Sequence, residues 1–128
     1  MSGFPPAVLR ALKKRSMGVC EGCGLAQATE AHHRQFRSRG GPEILANALH
    51  LCGWGNHTGC HGVAHTAVGE ARGWAVRSGF DVLLVPVFGV VDFEGHWRRQ
   101  DNDGGRELLL TGDAVEYMQL IHAIRVAS

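Results

Sequence analysis

The sequence predicts a small α+β domain in which two short strands and a helix carry a metal centre, with four cysteines as a second, structural staple. Three observations lead there. His61 and His65 stand four residues apart, a spacing that puts both on one face of a helix, one turn above the other. The earlier pair His32-His33 ends a strand candidate and can bring a further imidazole to the same ion. Cys20 and Cys23 precede that pair, and Cys52 and Cys60 follow it.

At 128 residues the chain is expected to form one domain, 1–128, with its core over about 18–78 and an extension over about 79–128. It is 45% apolar and 20% charged, a globular rather than a disordered balance. Its 18 glycines imply many turns, and a chain this rich in loops is helped by a metal staple. No apolar run precedes a small-residue cleavage site, so no signal peptide is expected. The most apolar stretch, 82–91, is too short to span a bilayer and is interrupted by Pro86 and Gly89. The expectation is a cytoplasmic protein without a membrane partner. In that compartment Cys20, Cys23, Cys52 and Cys60 read as ligands of a structural Zn2+ rather than as disulfides.

Pro5 and Pro6 open a first helix, with Val8, Leu9, Leu12 and Met17 as its apolar stripe and Gly18 as its stop. Cys20 to Gly24 forms a knuckle in which glycines allow the tight turn. A short strand is expected over 28–33 and a loop over 34–46, where Gly40-Gly41-Pro42 forbids regular structure. Asn47 leads into a second strand, 48–51. A glycine-rich loop follows over 53–59, and then a helix over about 60–78, with Gly69 and Gly73 as weak points. Residues 82–93 read as one or two strands, Glu94-Gly95 as a hairpin turn, and 96–100 as the returning strand. A polar turn covers 101–105. Thr111 or Asp113 caps a last helix ending near Ala127, with Val115, Met118, Ile121 and Ile124 facing inward.

The formal net charge is +1, so bulk charge does not announce a polyanionic partner. The distribution says more. Arg10, Lys13, Lys14 and Arg15 form one basic cluster, which reads equally as a solvated helix face. Arg34, Arg37 and Arg39 form another beside the histidines, where phosphate contacts are expected.

Strand, loop, strand and helix, with histidine ending the first strand, asparagine in the middle and histidine on the helix, resemble the HNH endonucleases. The segments that carry the resemblance are Glu30-Ala31-His32-His33-Arg34, Arg37-Ser38-Arg39-Gly40-Gly41, Asn47-Ala48-Leu49-His50-Leu51-Cys52, and Cys60-His61 with His65. They cover residues 20 to about 65. A softer likeness, through Gly73-Trp74-Ala75-Val76 and Pro86-Val87, points to the zinc-containing HNH proteins of bacteriophages. The chain departs from the commonest zinc-containing members in one respect. Seven residues separate Cys52 from Cys60 where a second Cys-x2-Cys pair is usual, and His57 in that loop has no assigned role.

The resemblance implies a ββα-metal HNH core, a four-cysteine zinc site, flanking helices and a C-terminal β-hairpin. It implies that His32, His61 and His65 hold a catalytic divalent metal (Mg2+, Mn2+, Ni2+ or Zn2+), and that His33 activates the attacking water. In this likeness Asn47 holds the loop beside the base by hydrogen bonds to its backbone. The implied activity is metal-dependent hydrolysis of DNA phosphodiester bonds, by nicking or double-strand cleavage. DNA is the expected partner, with phage packaging proteins or a second copy of the chain left open. His50, His57, His96 and His122 read as ordinary residues. The alternative is a non-catalytic, zinc-stabilised module that binds nucleic acid through the same knuckle and arginine loop.

Overall fold

A computed structural model describes residues 3–55 and 57–124. Helix α1 spans Pro6–Ser16. Strands β1 (Glu30–His33) and β2 (Ala48–Leu51) pair antiparallel, with His32 opposite Leu49 and His33 opposite Ala48. Two short helices follow, α2 (Gly59–Ala64) and α3 (Ala67–Ala71). The antiparallel strands β3 (Val87–Val91), β4 (Glu94–Gln100) and β5 (Arg106–Leu109) make a second sheet, and α4 (Thr111–Leu120) closes the order. The result is an α+β fold with two antiparallel sheets and four α-helices among the described residues. None of those helices is long and apolar enough to cross a membrane.

A two-stranded sheet is marginal alone, and β2 is covered on both sides. All four of its residues are buried. Leu49 and Leu51 pack with Cys20, Ala64, Trp74 and Val87, whereas Ala48 packs with Phe4, Leu12 and Leu45 beneath α1. A third apolar cluster joins Val76, Val82 and Val85 to Trp97 of the second sheet and Met118 of α4. Met17 is not part of the α1 stripe. It caps that helix at φ 56° and is exposed.

The long helix expected over 60–78 is instead two short ones. Thr66 ends the first and starts the second: its hydroxyl donates to the Val63 carbonyl and accepts from Gly69 N–H. Gly73, at φ 74°, ends α3 with the Trp74 N–H turned back to the Gly69 carbonyl. A side chain at Gly73 would also run into the Pro86 carbonyl. Residues 82–86 turn rather than extend, because Asp81 accepts the Leu83 N–H in its side chain. The hairpin turns at Asp92-Phe93, both at positive φ, and not at Glu94-Gly95. The extension holds three strands rather than a hairpin alone, since β5 adds an edge after the polar turn that Asp101 organises. Helix α4 stops at Leu120, and the expected end near Ala127 lies outside the described residues.

Residues 73–85 have little regular structure, and Arg34 holds them. Its side chain is fully buried. Nε donates to the Gly73 carbonyl at 2.8 Å, Nη1 to Ala46 at 3.1 Å and Val82 at 2.9 Å, and Nη2 to Val85 at 2.8 Å. The Arg34 backbone adds bonds to Asn47 O and from Val76 N. This corrects the expectation that Arg34 contacts phosphate: it is sealed from solvent with its donors engaged by carbonyls. Arg34→Met is expected to cost about 3 kcal/mol or more, because the buried Gly73, Val82 and Val85 carbonyls lose their donor together, while Ala46 keeps that of Gln100. Urea denaturation measures this; a loss under about 1 kcal/mol would show that the carbonyls find other partners.

Candidate metal centres

The end of β1 and the turn of helix after the glycine loop bring together His32, His61 and His65. One ligating nitrogen from each lies within 4.8 Å of the other two. The ring centroids are 5.0, 5.6 and 5.3 Å apart. His61 lies inside α2, and His65 is the residue that caps it. His32 Nε2 lies 2.6 Å from the Trp74 carbonyl oxygen. A carbonyl only accepts, so Nε2 carries the proton and Nδ1 presents the lone pair. Metal-bound imidazoles are commonly oriented through their second nitrogen in this way. His61 Nδ1 is buried without a hydrogen-bond partner among the described residues. A cation at the centre of the trio fits that orphaned nitrogen and the all-nitrogen donor set.

Burial lowers His32 to about 3, against the Trp74 carbonyl, which favours the charged form, and with His61, His65 and His33 lowering it further. Burial also lowers His61 and His65. The three imidazoles are therefore neutral at pH 7, the form a metal requires.

The second centre is sulfur. Ligating atoms of Cys20, Cys23, Cys52 and Cys60 all lie within 4.8 Å of one another, which positions the four to bind a metal. Zinc–thiolate bonds of about 2.3 Å imply sulfur–sulfur edges near 3.8 Å in a tetrahedron, and Cys23 and Cys52 sulfurs are 4.0 Å apart. Backbone N–H groups of Gly22 and Cys60 point at the sulfurs of Cys20 and Cys52, each at 3.4 Å. The Cys60 thiol donates to Cys20 and holds it down to about 4 against desolvation; the same bond pushes Cys60 up. Burial, chiefly, raises Cys52. A soft cation at their centre would let the crowded sulfurs bind as thiolates and give up their protons.

The seven-residue loop does not separate Cys52 from Cys60, because its ends are clamped. The Thr58 hydroxyl accepts from Trp54 N at 2.7 Å. Gly53 and Gly59, at φ 103° and 59°, approach so closely that a side chain on either would strike backbone of the other limb. His61 N–H then bonds the Cys52 carbonyl at 2.9 Å.

His33 is not part of the trio. Strand alternation sends it to the face opposite His32. There it stacks on Phe4, centroids 3.9 Å apart, and its Nε2 lies 3.0 Å from Glu43 Oε2. Asn47 is fully buried. Its Oδ1 accepts Gln35 N–H at 2.7 Å, and its Nδ2 donates to the Gln35 and Pro42 carbonyls, each at 3.0 Å. It thereby ties both ends of the arginine loop. Arg37 on that loop is 66% exposed and pairs with Glu43 at 3.4 Å. The Arg39 guanidinium lies 4.4 Å from the Phe36 ring centroid, and Phe36 stacks on His65. Arg39 is thus one ring away from the trio.

Sequence reasoning missed Glu43, Phe36 and Trp74. Glu43 had a signal, as the one acid in a loop of arginines. The Trp74 contribution is a carbonyl oxygen, which no side-chain pattern announces. No protein-family model, curated protein or solved structure matches the chain.

Protein purified without chelator is expected to hold one zinc in the sulfur cluster by elemental analysis. Cys52→Ser should lose it with a large drop in melting temperature, because structural zinc contributes folding energy directly. Protein without zinc that melts like the wild type would refute the cluster as a staple. A pH test follows from His32. Its folded value lies far below the unfolded one, so its contribution is complete above 6.5 and is lost as pH falls toward about 3. With the imidazole centre stripped of metal, stability should fall over that window, and His32→Gln should flatten the slope.

Proposed function

We propose that the chain is a metal-dependent endonuclease of the HNH type that hydrolyses phosphodiester bonds of DNA. The observation that carries this reading is the convergence of one imidazole from β1 with two from the helix that follows β2. An asparagine clamp at the entry to β2 goes with it. That order matches the ββα-metal pattern the sequence resembles.

A divalent cation held by the trio would draw charge from a phosphate oxygen and from the leaving oxygen. His33 donates its Nε2–H to Glu43, which leaves Nδ1 as the atom that accepts a proton from the attacking water. Phe4 and Glu43 fix the plane of that ring. His32 and His33 leave β1 on opposite faces, so the reading requires the phosphate to sit beyond the end of the strand, where the chain turns under Asn47. Arg37 and Arg39 flank that turn and supply sequence-independent contacts to neighbouring phosphates. Asn47 keeps the loop in place and does not itself meet the substrate.

The His33–Glu43 pair also favours a second reading, in which it only anchors the loop of a non-catalytic, zinc-stabilised nucleic-acid-binding module. Supercoiled plasmid separates the two. Nicking with Mg2+, Mn2+, Ni2+ or Zn2+ that stops on chelation supports the nuclease; binding without cleavage under all four supports the module.

His61→Ala should lose metal binding and nicking together. His33→Ala should keep metal affinity by calorimetry while the rate drops by ~10²–10⁴-fold, as for loss of a general base. If His33→Ala loses metal and His32→Ala keeps it, the roles of the neighbours are exchanged. Replacing Arg37 and Arg39 together by alanine should weaken DNA binding for every sequence and make its salt dependence shallower.

A further inference from the structure

A cleft of about 470 Å³ lies between the end of α1, the cysteine knuckle and the β3–β4 hairpin, with Arg106 of β5 at its side. None of the four histidines discussed above lines it. Its buried wall is the side chain of Arg98, only 2% exposed. Nε, Nη1 and Nη2 of Arg98 all lack a hydrogen-bond partner among the described residues, as does Nε of Arg106. The space for the guanidinium depends on Gly89: a Cβ there would collide with Arg98 Nη1 and with the Glu21 carbonyl.

The buried acid nearby, Glu21, has no capacity left. Its Oε1 accepts from Arg15 Nη2 at 2.7 Å and from His50 N at 2.9 Å. Its Oε2 accepts from Arg15 Nε and Arg106 Nη2, each at 2.8 Å. Those four bonds use the lone-pair sites of a carboxylate. Three arginines, Arg15, Arg98 and Arg106, line the cleft together with Glu21, the exposed Asp92 and the buried Cys20, and Arg98 alone among the arginines has every donor without a hydrogen-bond partner among the described residues. Burial lowers Arg98 to about 10, Glu21 opposes this, and Arg106 and Arg15 add to it, so the group remains a cation at neutral pH. A buried cation with unused donors is costly unless an anion meets it.

The outer walls are apolar and exposed. Met17, Val19, Val91 and Phe93 line them. Phe93 is 86% exposed and sits at φ 67°, a conformation bulky side chains avoid. The turn therefore presents the ring to solvent at a conformational cost and without burying it. Planar guanidinium donors suit phosphate, and an exposed aromatic ring suits the face of a base.

We propose that this cleft binds the phosphate of a nucleotide or of a single nucleic-acid strand, with the phosphate on Arg98 and Arg106 and the base against Phe93 and Met17. The site is separate from the histidine trio and does not depend on cleavage.

The test is calorimetric titration and thermal melting of the zinc-loaded protein in phosphate-free buffer. The probes are a nucleoside monophosphate, its nucleoside, inorganic phosphate and a short single-stranded oligonucleotide. The nucleotide should bind more tightly than phosphate, and the nucleoside should give no signal. Arg98→Met should weaken nucleotide binding by about 10-fold or more, the loss expected for a charged hydrogen bond. Its ligand-free melting temperature serves as the check that the variant folds, because Arg98 also faces the Glu21 carboxylate. Phe93→Ala, at an exposed position, should bring the nucleotide down to the affinity of inorganic phosphate. An oligonucleotide that outbinds the mononucleotide identifies a strand as the source, and equal affinities identify a free nucleotide. Nucleoside binding as tight as nucleotide binding overturns the proposal, as does inorganic phosphate matching the nucleotide in the wild type. Unchanged affinity in Arg98→Met does the same. If Arg98→Met does not fold, Arg106→Gln carries that arm.

Discussion

The Arg34 guanidinium is surrounded by carbonyl oxygens of Ala46, Gly73, Val82 and Val85, and no carboxylate among the described residues bonds it. Backbone dipoles do the work of a counterion, and the group stays charged although burial, with Arg98 and Arg15 nearby, lowers it to about 9. An irregular segment has few neighbours to take its carbonyls, and a planar fork of donors can take several at once. The same residue follows His32 and His33, and its own backbone bonds Asn47 and Val76. The knot therefore fixes the end of β1, the asparagine clamp and the Trp74 carbonyl that orients His32. Both the fold and the imidazole trio depend on it.

What could be read beforehand was what short spacings encode. Strand β2 has the expected limits, and the four cysteines and three of the histidines come together in two groups; the Cys20–Cys23 and His61–His65 spacings are local, and the β1–β2 pairing brings the remaining ligands to them. What escaped was decided at long range. A basic run does not reveal whether an arginine meets solvent or carbonyls, so Arg34 and Arg37 look alike in sequence and differ completely in burial. The break between α2 and α3 depends on Thr66, and the end of α3 on the approach of Gly73 to Pro86, a contact made across the fold. Glycine in Glu94-Gly95 marked the wrong turn because phenylalanine is an unusual occupant of the positive-φ position that Phe93 takes. Strand β5 carries little burial and so little pattern.

The one buried acid among the described residues, Glu21, gathers several cations. Burial alone would raise Glu21, but Arg15 and Arg98 hold it below the usual carboxylate range. Through it, α1, β2 and β5 are joined at one carboxylate. Glu43 lies between His33 and Arg37 nearer the surface. Arg98, buried and without a hydrogen-bond partner among the described residues, is where the molecule has charge to offer a ligand.

Cys60 and His61 are consecutive residues in the first turn of α2, yet one belongs to the sulfur cluster and the other to the imidazole trio. The peptide unit between them is a shared rigid part. An ion that draws the sulfurs together also sets the height and rotation at which the His61 ring enters its own centre. Occupancies of two sites joined in this way are reciprocal: whatever factor the first ion contributes to the affinity of the second, the second returns to the first. Metal ions offered to both sites would then titrate as a coupled pair.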